Sequence, residues 1–185
     1  MRKIGTAIED FGTIRLPEDA IEPILPTPVR DELTAWLTEI WAEDELMAAG
    51  VPIRRKAIFV GPPGTGKTTL AHHLSARLGL PLLEVGTENL IDCWLGSSSR
   101  NIGALFDIIA ESPPLVMMID EFDSIGHKRT AARHGSDNER NGWVNTLLRR
   151  MDAYGGFMLA ASNMAEELDQ AIWRRFDIHI SLGLP

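Results

Sequence analysis

Short apolar runs alternate with stretches in which apolar residues recur every three or four positions, from residue 57 to the end of the chain. Residues 57–60, 82–85, 115–119, 157–161 and 178–182 are the runs, and each is read as a buried strand. Between them Leu70, Ala71, Leu74 and Leu78 mark one helix face, and Ile102, Leu105, Phe106 and Ile109 mark another that Pro113 and Pro114 bring to an end. Val144, Leu147, Leu148 and Met151 mark a further helix, and 168–173 a short one. The run 115–119 is continuously apolar with polar residues after it, the pattern of a central parallel strand. Strands alternating with helices predict an α/β fold whose parallel sheet is covered on both faces. Residues 126–141 are polar, carry Lys128, Arg129 and Arg133, and read as a mobile loop.

Upstream, Thr27 and Pro28 form a helix start, with Thr at the N-cap, Pro at the first helical position and Asp31 and Glu32 in the first turn. Leu33, Trp36, Leu37, Ile40 and Trp41 follow at helical spacing and Gly50 suits the stop, so a helix is expected over 28–49 with its Trp36/Trp41 face in the core. Residues 1–26 have weak periodicity and read as an extended arm, with a short strand or turn near 11–16. The expected organisation is therefore an arm or linker over 1–26 and one α/β domain over 27–185.

Composition narrows the classes. The 185 residues suffice for one full core, with 44% hydrophobic and 24% charged residues as in an ordinary globular domain. A net charge of −8 disfavours nucleic-acid binding through a basic surface. No apolar run reaches the length of a membrane span, and the N-terminus lacks a signal-peptide core. Cys93 is the sole cysteine, which excludes an internal disulfide framework and fits a reducing cytoplasm. The five histidines show no zinc-ligand spacing; His72 and His73 read as solvated or packing residues.

The chemistry is concentrated in two places. Residues 61–68, running Gly61, Pro62, Pro63, Gly64, Thr65, Gly66, Lys67, Thr68, fit G-x-x-x-x-G-K-[ST] and are followed by Thr69. This spacing suits phosphate. The glycines let the backbone fold into a nest of N–H groups, and Lys67 can reach the β- and γ-phosphates. The Thr68 hydroxyl can hold Mg²⁺, and the helix that begins here points its positive end at the same group. The second place is Asp120-Glu121, two carboxylates at the C-terminal end of the 115–119 strand, the edge where open α/β sheets bind ligands. Asp120 suits Mg²⁺ beside Thr68, and Glu121 is the candidate to activate an attacking water.

With these motifs in place, the chain from about Ile53 onward resembles the core AAA branch of the AAA+ ATPases. Residues 61–68 are similar to that branch's Walker A sequence, and Ile119-Asp120-Glu121-Phe122-Asp123 to its Walker B. Ala160-Ala161-Ser162-Asn163 is similar to its sensor 1 strand, which implies that Asn163 meets the γ-phosphate or the lytic water. Residues 168–177 resemble the second region of homology, which implies that Arg174 and Arg175 are arginine fingers reaching a neighbouring subunit's ATP. Cys93-Trp94-Leu95-Gly96 falls where the branch carries its first pore loop, with Cys93 replacing the usual basic residue; Trp94 and Leu95 would grip a polypeptide. A core tryptophan is the other reading of Trp94. The resemblance implies that residues 126–141 are the second pore loop, with Lys128, Arg129 or Arg133 facing an acidic channel; a merely solvated loop is the other reading.

The resemblance implies a P-loop NTPase sheet in the order 5-1-4-3-2, counted from the 57–60 strand, using ATP and Mg²⁺. The family's helical lid would begin where the chain stops at Pro185, so a lid is expected to be absent. The bacterial stand-alone AAA proteins are the nearest pattern. The expected function is a cytoplasmic ATPase that remodels or unfolds protein substrates in a homo-oligomer, a hexameric ring or helical assembly. Two alternatives stand beside it: an ATP-controlled assembly switch that regulates a partner without threading, and a nucleotide-dependent scaffold. Asp120-Glu121 and the two arginines argue against the scaffold.

Overall fold

The computed structural model describes residues 8–90, 97–126 and 135–184, the side chains of 97–98, 126 and 135–141 apart. Six strands build one sheet: β1 (Gly12–Arg15), β2 (Lys56–Val60), β3 (Leu82–Val85), β4 (Val116–Ile119), β5 (Phe157–Ser162) and β6 (Ile178–Ser181). Their spatial order is β1-β3-β4-β5-β2-β6. Five strands are parallel in the expected 5-1-4-3-2 order; the sheet differs by β1, which adds antiparallel to β3 at the edge. The central strands are almost wholly apolar because both faces are covered: all four residues of β4 and the last five of β5 are buried, Ser162 being the one polar residue among them.

The helices are α1 (Thr27–Trp41), α2 (Glu43–Ala48), α3 (Lys67–Arg77), α4 (Ser97–Ala110), α5 (Asp123–Gly126), α6 (Gly135–Ala153) and α7 (Gln170–Trp173). Alternating strand residues feed two cores. Ile58, Val85, Met117 and Ile119 pack with α4 and α6 through Leu105, Phe106, Val144 and Leu147. Ala57, Phe59, Met118 and Leu159 pack with α1 and α3 through Trp36, Leu37, Leu70 and Leu74.

Several expectations are corrected. The single helix over 28–49 is two helices that break at Ala42, whose ψ of 24° departs from the helical value. Thr27 is the first helical residue rather than the cap, and Gly50 sits in the left-handed conformation (φ 75°) that closes α2. Trp36 is buried, its Nε1–H donating to the Arg54 carbonyl at 2.8 Å, but Trp41 is exposed beneath the Arg77 guanidinium, 5.4 Å from the ring centre. Residues 135–141 are helical, so the 126–141 loop is shorter than expected. α4 begins at Ser97, five residues ahead of Ile102, the first apolar marker of its face. Lys128, Arg129 and Arg133, like Cys93, Trp94 and Leu95, lie outside the described residues.

The arm is docked. β1 leads into a 3₁₀ turn, Pro17–Asp19, and the Leu16 carbonyl lies 2.8 Å from Nε2 of His72 on α3. His72 is accordingly buried, a packing residue.

Candidate functional site

Strand register places the chemistry on one edge. Val60 lies beside Ser162, and Ile119 beside Ala160 and Val85. The residues that leave these strand ends, Gly61, Asp120, Asn163 and Gly86, therefore emerge at the same end of the sheet. They open onto a cleft of about 810 Å³ that reaches from the P-loop to β1 and the end of β3.

The P-loop is built by its glycines. Gly64 and Gly66 adopt φ of 81° and 83°, a region that side chains disfavour, and Gly66 caps α3. Gly61 is needed for a different reason: a Cβ there would lie 2.1 Å from the Leu182 carbonyl oxygen. Thr65 Oγ1 donates to the Pro62 carbonyl at 2.9 Å and closes the turn.

Lys67 is only 7% exposed. Its ammonium has three donors, and all are used, to Gly61 O at 2.7 Å, Pro62 O at 3.0 Å and Asn163 Oδ1 at 2.8 Å. Burial lowers its pKa, while the charges of Asp120 and Asp123 oppose that shift. Thr68 Oγ1 donates to Asp120 Oδ2 at 2.7 Å, so two hard oxygen donors already stand together, a pair that fits Mg²⁺.

Glu121 is exposed on the cleft and has φ 47°, the sole positive φ of a non-glycine among the described residues. Its N–H donates to Asp120 Oδ1 at 2.8 Å, and the Phe122 N–H to the Ala161 carbonyl at 2.8 Å. Such a conformation costs about 1–3 kcal/mol and is held here by those bonds on both sides. Both residues line the cleft, and the Asp120 carboxylate is engaged by Thr68. The backbone N–H of Asn163 donates to Asp123 Oδ1 at 3.1 Å, which fixes the start of the segment after β5.

Sequence reasoning thus names residues that the fold brings together: Lys67, Thr68, Thr69, Asp120, Glu121 and Asn163 all line the cleft. Arg174 and Arg175 do not. Arg175 is held within the chain by Asp152, Nε to Oδ1 at 3.0 Å, whereas the Arg174 side chain is exposed with no partner among the described residues. The sequence reading missed the far wall of the cleft, formed by Glu9, Gly12 and Thr13 of the arm with the Arg15–Glu84 ion pair. The weak strand signal near 11–16 was the only hint of it. Asp152 and the anchoring role of Asp123 were missed as well.

The match to known proteins covers the same region. Residues 57–184 match the model of the ATPase family associated with various cellular activities (AAA). The AAA family ATPase y4kL of Sinorhizobium fredii is 42% identical over 147 residues, 78% of this chain and 44% of that protein. The ATP-dependent zinc metalloprotease FTSH 6, chloroplastic, of Oryza sativa is 36% identical over 149 residues, 77% of this chain and 22% of that protein. FtsH 1 of Thermoanaerobacter sp., also an ATP-dependent zinc metalloprotease, is 34% identical over 147 residues and matched over 24% of its length. The chain spans less than half the length of each of these relatives. With the Walker A, Walker B and sensor sequences meeting at one sheet edge, the chain belongs to the AAA family of ATPases.

Proposed function

We propose that this chain is a Mg²⁺-dependent ATP-hydrolysing motor domain that acts on protein substrates within a homo-oligomer. The observation that carries the reading is the convergence of Lys67, the Thr68–Asp120 pair, Glu121 and Asn163 on one cleft. On ATP arrival the Lys67 ammonium exchanges carbonyl partners for phosphate oxygens, and Asn163, released from Lys67, turns to the γ-phosphate. Thr68 and Asp120 would hold Mg²⁺, which when bound neutralises phosphate charge. Glu121 accepts a proton from water as its oxygen bonds to the γ-phosphorus and the bond to the bridging oxygen of ADP breaks. An arginine from a neighbouring subunit completes the charge balance, so turnover depends on assembly. The names of the FtsH relatives, ATP-dependent proteases, support a polypeptide substrate. Among the described residues no helix is long and apolar enough to cross a membrane, and the single cysteine fits a cytoplasmic setting.

A non-threading assembly switch is the second reading, favoured by the docked arm, which packs against the P-loop helix. The two are separated by ATP turnover with and without an unfolded polypeptide such as casein. The motor reading expects stimulation that is lost in Trp94→Ala. No stimulation, or stimulation that survives that change, favours the switch.

A further inference from the structure

Asn163 stands just beyond the end of β5, where the strand ladder no longer fixes the chain, and both Asn163 and Met164 are exposed. Two hydrogen bonds hold this exit. The Met164 N–H donates to Oγ of the buried Ser162 at 3.1 Å, a bond within the segment itself. The Asn163 N–H donates to Oδ1 of Asp123 at 3.1 Å, a bond to another element. Asp123 is a firm anchor, because Phe122 before it and Ile125 after it are both buried. Phe122 also packs edge-to-face on Phe176, with ring centres 5.5 Å apart. The Phe122 N–H donates to the Ala161 carbonyl at 2.8 Å. The segments that follow β4 and β5 are therefore laced by two bonds, one from main chain to main chain and one from main chain to carboxylate. Glu121 directly precedes the first bond, and Asn163 makes the second.

We infer that Asp123 is a positioning residue for ATP hydrolysis: by holding the Asn163 main chain, its carboxylate sets the asparagine amide in register with Glu121 and the γ-phosphate. The inference rests on the role given to Asn163 under the proposed function. Asn163 Oδ1 accepts from Lys67 Nζ at 2.8 Å, and on that reading the amide changes partner when phosphate arrives. A side chain that changes partner needs a main chain that stays in place. Misplacing a polar group by about 1 Å can cost on the order of a hundredfold in rate. Asp123 touches none of the reacting atoms in this scheme and acts through Asn163. The role needs an acceptor oxygen and no charge. The Asp123 charge also acts on Lys67, where it opposes the lowering of the pKa by burial, so the experiment must separate charge from hydrogen bond.

The test is steady-state ATP turnover by the full chain, with thermal unfolding of each variant. Asp123→Ala should lower kcat about ten- to a hundredfold and leave KM nearly unchanged. Asp123→Ser should do the same, because its hydroxyl is one bond too short to reach the Asn163 N–H, so whichever of the two folds serves. Asp123→Asn keeps the acceptor oxygen without the charge and should recover most of the loss. Asn163→Ala should itself be slow, and adding Asp123→Ala to it should slow it no further, since the anchor then has nothing to position. An Asp123→Asn variant as slow as Asp123→Ala would overturn the inference by giving the role to the charge. An equal further loss in the Asn163→Ala background would overturn it too, because Asp123 would then act by another route. With Asn163→Ala slow, Asp123→Ala and Asp123→Ser at the parental rate overturn the inference alone. Asn163→Ala at the parental rate removes the proposed role of Asn163 and the inference with it.

Discussion

Lys67 carries one charge and three donors, and all three are engaged by Gly61, Pro62 and Asn163. On the proposed function, phosphate would enter by exchanging with these partners rather than by ordering a free side chain. Lys67→Ala should abolish ATP binding in calorimetry while leaving cooperative unfolding, since it removes a loop contact and no apolar packing. An unchanged affinity would take the phosphate role from this loop. Glu121 holds a positive φ and donates its backbone N–H to the Asp120 carboxylate. Glu121→Gln keeps the shape but loses the base, so it should still bind ATP and turn over about a hundredfold or more slowly. Parental turnover in that variant would give the base to another group. At this scale the site was legible, because a phosphate nest demands glycines at fixed spacing and hydrolysis demands a carboxylate at a strand end. Asp152 was not legible: it lies 23 positions from Arg175 on another element, and nothing local marks the pair.

Elements were legible where burial was uniform. β2, β4 and β5 are covered on both faces, and apart from Lys56 at the start of β2 and Ser162 at the end of β5 their sequences are apolar runs. β1 carries one half-buried and three exposed residues, so edge pairing with β3 left almost no pattern. The break at Ala42 has no glycine or proline to announce it. The first turns of α6 are too polar to show a helical period. The docked arm brings a pH dependence of its own. His73 lines a small cleft with Glu22 and Leu25 of the arm and Arg77 of α3. Burial lowers its pKa below the ordinary 6.5, with Arg77 acting in the same sense and Glu22 against it. The folded state therefore binds this proton less readily than the unfolded chain. Stability is undiminished above pH 6.5, declines as pH falls from there towards the lowered folded value, and is level below it. His73→Gln should reduce the loss of melting temperature between neutral and mildly acidic buffer. An equal loss in both proteins would detach His73 from that dependence.

At the scale of the whole molecule, one chain presents the lysine, the carboxylates and the asparagine around a cleft, but its own Arg174 and Arg175 do not line it. Under the proposed assembly, a neighbour's arginine would add to Lys67 and the metal in balancing the developing phosphoryl charge, and turnover would rise with association. The Arg175–Asp152 pair and the Phe122–Phe176 contact tie the turn that carries both arginines to α6 and to the segment after Glu121. The measurement that bears most directly on this account is ATP turnover per chain as protein concentration is raised, with Mg²⁺ present. The account predicts turnover that climbs with concentration to a plateau and is nearly absent throughout in Glu121→Gln. Turnover per chain that is the same at every concentration would contradict it, because the catalytic site would then be complete within a single subunit.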